Sequence, residues 1–145
     1  MGLFDAIDVA GSGLAAERLR MDVVAGNLAN AETTQGPNGQ PYRRREVVLQ
    51  EAQPSGPSFG SVLASAASPV AGVQVAGIVE DPSPLRQVYD PGNPSANAQG
   101  YVRLPNVNPV TEMVDLISAS RSFEANVTAM QAAKTNFTQT LGLLR

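Results

Sequence analysis

The sequence predicts an α+β protein in which long N- and C-terminal helices form a coiled coil and flank a small, β-rich, loop-heavy middle domain. Three observations carry this reading. All 11 prolines fall between positions 37 and 109, so only the two ends can hold uninterrupted helix. Apolar residues at both ends recur in steps of three and four, the spacing of a heptad seam. The middle offers short candidate strands separated by Gly, Pro, Asn and Asp. The expected divisions are an N-terminal helix over 1–30, a β-rich middle over 31–108 with a flexible segment at 53–68, and a C-terminal helix over 109–145.

In the first segment the seam consists of Leu3, Ile7, Ala10, Leu14, Met21, Val24 and Leu28, with Glu17 its one polar member. Val9, Leu19 and Val23 widen the stripe, so this helix is expected to meet more than one neighbour. Gly11-Ser12-Gly13 is its weak point, because glycine costs about 1 kcal/mol relative to alanine inside a helix. The sequence leaves two readings of it open, a kink and a close helix contact. Asn27, Asn30 and Thr33-Thr34 supply the helix stop. The segment is also the most acidic part of the chain, through Asp5, Asp8, Glu17 and Asp22.

The best strand candidate in the middle is 42–49, where alternation sends Arg43 and Arg45 to one face and Arg44 to the other. Residues 72–79 give a second strand, and 85–89 and Tyr101–Leu104 two shorter ones on either side of the turn-rich Asp90-Pro91-Gly92-Asn93-Pro94. Arg43-Arg44-Arg45 is the one dense positive run. Its default reading is solvated surface charge, and its functional reading is an electrostatic contact with the acidic first helix of a neighbouring molecule.

The last segment repeats the heptad pattern at Met113, Leu116, Phe123, Val127, Met130, Phe137, Leu141 and Leu144, with Ser120 and Lys134 at the remaining seam positions. Lys134 there either fixes register or snorkels out. Asn108 is placed to cap this helix, Pro109 suits its first position, and Glu112 and Asp115 lie where the helix dipole favours acids. A flanking stripe of Ala125, Ala129, Ala132 and Ala133 allows close approach. At about 1.5 Å per residue the two helices would be roughly 40 and 50 Å long, and rods of that length with apolar seams must pack lengthwise.

Composition narrows the chemistry. A chain of 145 residues suits one domain, and 43% hydrophobic with 16% charged residues is too apolar for wholesale disorder. With no Trp and only 5% aromatics, bulky core-building side chains are scarce, so a dense self-sufficient globule is not expected. The absence of His and Cys removes the commonest general base, the thiol nucleophile and thiolate metal ligands. A net charge of −3 argues against nucleic acid. No stretch suits a bilayer span, and Asp5 and Asp8 interrupt what would have to be the apolar core of a cleavable signal. Glu80-Asp81 with Asp90 is the only acidic grouping with any likeness to a paired carboxylate, and Pro82 and Pro84 beside it favour turn punctuation. No enzyme, cofactor or metal site is expected.

Specific motifs go further. Asn27-Leu28-Ala29-Asn30 followed by Thr33 resembles the signature that closes the first helix in the bacterial flagellar basal-body rod and hook family. The segment from Thr34-Gln35-Gly36 to Pro41-Tyr42-Arg43-Arg44 resembles that of its proximal rod members, as do Gly77-Ile78-Val79-Glu80-Asp81-Pro82-Ser83-Pro84, Val88-Tyr89-Asp90-Pro91-Gly92 and Gly100-Tyr101-Val102. The runs from Pro105-Asn106-Val107-Asn108 to Glu112-Met113 and from Ser120-Arg121 to Ala125-Asn126 complete a likeness that covers nearly the whole chain. Departures are Phe123 where Tyr is common, Gln40 where a second Gly is common, and a longer, blander 53–68.

The resemblance implies a structural subunit of the proximal rod, polymerising with itself and other axial proteins into the drive shaft that transmits motor torque. It also implies type III export without a cleavable signal, a place in the periplasmic part of the basal body, and partners that include the export apparatus and the membrane-embedded ring at the rod base. The residues alone would also suit a monomeric or dimeric coiled-coil adaptor or scaffold with a small β insert and, less well, a weak carboxylate-dependent hydrolase.

Overall fold

A computed structural model describes residues 3–36, 38–52 and 71–143. Its elements are α1 (Leu3–Ala29), β1 (Arg45–Glu51), β2 (Val73–Glu80), β3 (Arg86–Tyr89), β4 (Tyr101–Leu104) and α2 (Pro109–Leu143). β1 pairs with β2 and β3 with β4, giving two separate two-stranded antiparallel sheets. The expected flexible segment 53–68 and Leu144 lie outside the described residues.

The chain divides into two units. The first comprises residues 1–19, 48–77 and 119–145. Here the Gly11-Ser12-Gly13 question is answered by close approach: a Cβ on Gly13 would lie 2.9 Å from Nδ2 of Asn126, and one on Gly11 3.9 Å from the Met130 methyl. Buried small residues, Ala10, Ala16 and Ala119, belong to the same tight packing. Ser12 also holds the start of β2, because its Oγ donates to the Val9 carbonyl (2.8 Å) and accepts the Val73 N–H (3.0 Å). Nothing larger than Gly72 fits beside it without displacing that hydroxyl, since an added Cβ would come within 2.5 Å of the Oγ.

The second unit comprises residues 20–47 and 78–118. Its buried apolar residues are Val24, Ala31, Val102 and Val107, with Pro105. Five short-range devices set its shape. α1 ends where the Asn30 side chain donates back to the Gly26 carbonyl (2.9 Å) and accepts from Thr33 Oγ1 (3.2 Å). The following loop tightens where Gly39, at φ 68°, donates to the Gly36 carbonyl (2.9 Å). Gly100, at φ 81°, closes the β3–β4 connection, and a Cβ there would lie 2.8 Å from the Tyr89 ring. The Tyr89 and Tyr101 rings then meet edge to face, with centroids 5.3 Å apart. α2 starts as expected, with Asn108 Oδ1 accepting the Val110 N–H at 3.1 Å.

The first strand differs from the expected 42–49 and has a clear reason to do so. Residues 42–44 lie before the strand. Two of their N–H groups are claimed elsewhere: Tyr42 donates to the Thr33 carbonyl (3.2 Å) and Arg44 to Asn106 Oδ1 (2.9 Å). Pairing with β2 begins only where the Arg44 carbonyl accepts the Asp81 N–H (2.8 Å). Only Arg45 of the three arginines lies in the strand; Arg43 and Arg45 reach toward residues 80–83, and Arg44 toward Glu112 and Asp115.

Candidate functional site

The most tightly specified place in the second unit is a buried amide. Asn27, on the last full turn of α1, is 0% exposed and makes four hydrogen bonds. Its Nδ2 donates to the Arg45 carbonyl (2.8 Å) and to Oε2 of Glu112 (2.9 Å). Its Oδ1 accepts the Tyr42 hydroxyl and the Arg45 N–H, both at 2.9 Å. Both donors and both lone pairs are used, the condition under which a buried amide stabilises rather than costs. One side chain thus ties the end of α1 to the segment entering β1 and to the first turn of α2.

Glu112 is likewise 0% exposed and shares its carboxylate between Asn27 and the Arg44 guanidinium, which donates from Nε. Arg44 also meets Asp115 (3.3 Å) and Glu46. Burial disfavours the charged guanidinium, yet the hydrogen bond and charge of Glu112, with Asp115 and Asp81 farther off, hold its pKa above the ordinary arginine value. Asn106 completes the junction: its Oδ1 accepts the Arg44 N–H, and its Nδ2 donates to the Asp81 and Ser83 carbonyls (3.2 and 3.4 Å). Arg43 reaches the same two carbonyls. Arg45 stacks over the Tyr42 ring, 5.5 Å from its centroid, and pairs with Glu80 at 3.7 Å.

This arrangement is built to hold geometry. The acidic grouping noted in the sequence is used in turns and surface pairs: Asp81 accepts the Ser83 N–H (2.8 Å) and Asp90 the Asn93 amide (3.5 Å), while Glu80 faces Arg45. The Ser83 hydrogen bonds, helped by Arg44 and Arg43, hold the Asp81 carboxyl below its usual range. Among the described residues no group of three or more His, Cys, Asp or Glu could hold a metal ion, and no helix is long and apolar enough to cross a membrane.

The seam residues are distributed unevenly. Val24 is buried; Ile7, Leu14, Met21 and Leu28 on α1 and Leu116, Phe123, Val127 and Met130 on α2 are half-buried. Met113, Phe137 and Leu141 are exposed, and Leu3 begins α1. Of the motif residues, Asn27 is the hub, and Asn30 and Thr33 form the turn behind it. Reading Asn27 and Asn30 as a helix stop accounts for Asn30 and misses the larger role of Asn27. No local signal in the sequence marks that role, because the partners of Asn27 lie up to 85 residues away in the chain.

Comparison with known proteins decides what the scaffold is for. Residues 7–37 match the flagella basal body rod protein family, and residues 98–143 match the C-terminal family of flagellar basal body rod FlgEFG proteins. The chain is 47% identical over 143 residues to flagellar basal-body rod protein FlgC of Yersinia enterocolitica, covering 99% of this chain and 98% of that one. It is 51% identical over 142 residues to FlgC of Bacillus subtilis, covering 92% and 93%, and 45% identical over 143 residues to FlgC of Salmonella typhimurium, covering 99% and 98%. The chain belongs to the flagellar basal-body rod family. It is a structural subunit of the rod, located in the flagellar basal body. Both matched regions of this rod subunit contain an end of the Asn27 junction: residues 7–37 include Asn27 itself, and residues 98–143 include Asn106 and Glu112.

Proposed function

We propose that this rod subunit polymerises with copies of itself and with other axial proteins into the proximal drive shaft, its two terminal helices forming a coiled-coil layer and its middle locking neighbours. The observation that carries this reading is an apolar stripe on the first two turns of α2. Val110, Met113, Val114 and Ile117, at helical spacing i, i+3, i+4 and i+7, are 69%, 50%, 61% and 55% exposed. Burying large apolar side chains is worth about 1.5–3 kcal/mol each when complete, so covering this face in a polymer contributes several kcal/mol per contact. The Asn27–Glu112–Arg44 junction serves torque in a different way. A satisfied buried polar network has one low-energy arrangement, so it resists the sliding and rotation that a purely apolar seam tolerates.

The same sparse core suits delivery. With few bulky residues inside, the subunit costs little to unfold, in keeping with passage through the flagellar type III apparatus and folding on arrival in the periplasmic space. The export apparatus and the membrane-embedded ring at the rod base are its further partners, and its role is mechanical rather than catalytic. Deleting the gene and complementing it in trans tests this. Loss of rods and motility, restored by the wild-type chain and not by Val127→Asp, is the expected result; rods of normal length in the deletion strain would refute it.

A further inference from the structure

The second unit carries an open cleft of about 360 Å³ beside the 34–41 loop and the β3–β4 hairpin, lined by residues of both. Its composition is unusual for an acidic chain. Two guanidinium residues, Arg43 and Arg103, line it together with the amides of Gln35, Gln40 and Asn97, and no carboxylate among the described residues does. Arg43 spends its hydrogen bonds on the main-chain carbonyls of Asp81 and Ser83 and makes no carboxylate hydrogen bond, its charge being felt by the nearby Asp81 carboxyl. Arg103 stands on β4 opposite Gln87, exposed, and its guanidinium has no hydrogen bond or ion pair among the described residues. This contrasts with Arg44 and Arg45, each of which faces a carboxylate.

We propose that this cleft is a docking site for a carboxylate, supplied by an acidic side chain of an adjacent subunit. Guanidinium groups bind carboxylates through paired N–H donors, and the surrounding amides add hydrogen bonds that a peptide backbone can complete. The source follows from charge balance: the chain carries 13 acidic against 10 basic residues, so a neighbouring copy presents carboxylates in excess, while this cleft presents cations without acids. The proposal of a neighbouring copy as source rests on the polymer reading above; the chemistry of the cleft does not.

The test uses the folded full-length chain, labelled for NMR, titrated with a blocked Asp-Gly-Asp tripeptide and, separately, with inorganic phosphate. The peptide is expected to shift the Gln40, Tyr101 and Arg103 signals, to bind about fivefold more weakly to Arg103→Gln, as expected for one exposed charge pair, and to lose affinity as salt is raised. Gln40→Glu, which places a carboxylate in the cleft at an exposed position, should abolish the shifts while leaving the remaining spectrum unchanged. Shifts of equal size with phosphate would overturn the peptide assignment, and no response to either probe would overturn the site. In cells, Arg103→Glu should give short or missing rods that a charge reversal on a neighbouring copy's exposed acid, Asp8→Lys or Asp22→Lys, lengthens again. Peptide binding with normal Arg103→Glu rods would remove the neighbouring copy as source, whereas failure of the polymer reading itself shows in the deletion strain.

Discussion

Replacing Asn27 by Asp changes one nitrogen to oxygen at the centre of the buried junction, and its effect can be worked out from the four bonds involved. The Oδ1 bonds to the Tyr42 hydroxyl and the Arg45 N–H can survive. The two Nδ2 bonds cannot: a carboxylate oxygen would face the Arg45 carbonyl and Glu112 Oε2 at the 2.8 and 2.9 Å now spanned by N–H donors. Losing two buried hydrogen bonds costs about 1–3 kcal/mol each. Two like charges at that separation add about 6 kcal/mol even at an effective dielectric of about 20, unless the new acid takes up a proton. Protonation is the cheaper escape, so folding raises the pKa of the introduced carboxyl above its unfolded value. A raised folded pKa means that stability is retained at low pH and lost as pH rises through the folded value. Thermal and urea unfolding of the purified subunit should therefore show Asn27→Asp destabilised by about 3–5 kcal/mol at neutral pH, with the deficit relative to wild type shrinking toward about pH 4. Asn27→Ala should lose about 3 kcal/mol with no such pH dependence. Native stability of Asn27→Asp at neutral pH, with no dependence of its difference from wild type on pH, would refute the junction as described.

Other consequences follow from the same geometry. Arg44→Glu should cost about 3–5 kcal/mol because it leaves Glu112 buried without its cation, whereas Arg45→Glu, which breaks one exposed pair, should cost under about 1 kcal/mol by the same unfolding measurement. Burial, outweighing the opposing pull of Arg45 and reinforced by Glu112 and Glu80, raises the Tyr42 pKa above the ordinary 10.0. Its contribution is complete below that value and lost as pH rises through the elevated folded pKa, so alkaline unfolding curves should show a loss of stability that is missing in Tyr42→Phe. Gly100→Ala must place a Cβ at positive φ and 2.8 Å from the Tyr89 ring. About 1–2 kcal/mol of destabilisation and loss of the ring-current shifts between Tyr89 and Tyr101 are expected in its proton spectrum.

The parts of the fold that were legible in the sequence are those governed by local signals. Both helices follow from proline-free ends and heptad spacing, the Asn108 cap from its position before Pro109, and the Tyr101–Leu104 strand from its turn-bounded run. The start of β1 escapes local reading because its limit is set by acceptors far away in sequence, the Thr33 carbonyl and Asn106 Oδ1, which draw residues 42–44 out of the ladder. The junction was hidden for the same reason. Asn27 reads locally as a helix stop, Glu112 as a first-turn acid and Arg44 as one of three solvated arginines. Only the fold brings the three together across 85 residues of chain. The motif at Asn27, Asn30 and Thr33 marked the place without revealing its chemistry.

Whether the terminal helices are the layer that carries torque in a rod built from this chain is decided by a density map of purified basal bodies at a resolution that shows side chains. We expect α1 and α2 of successive subunits within the axial rod, with Val110, Met113, Val114 and Ile117 covered by a neighbouring helix. A rod without this chain, or one in which that face of α2 looks into solvent, would refute the assignment.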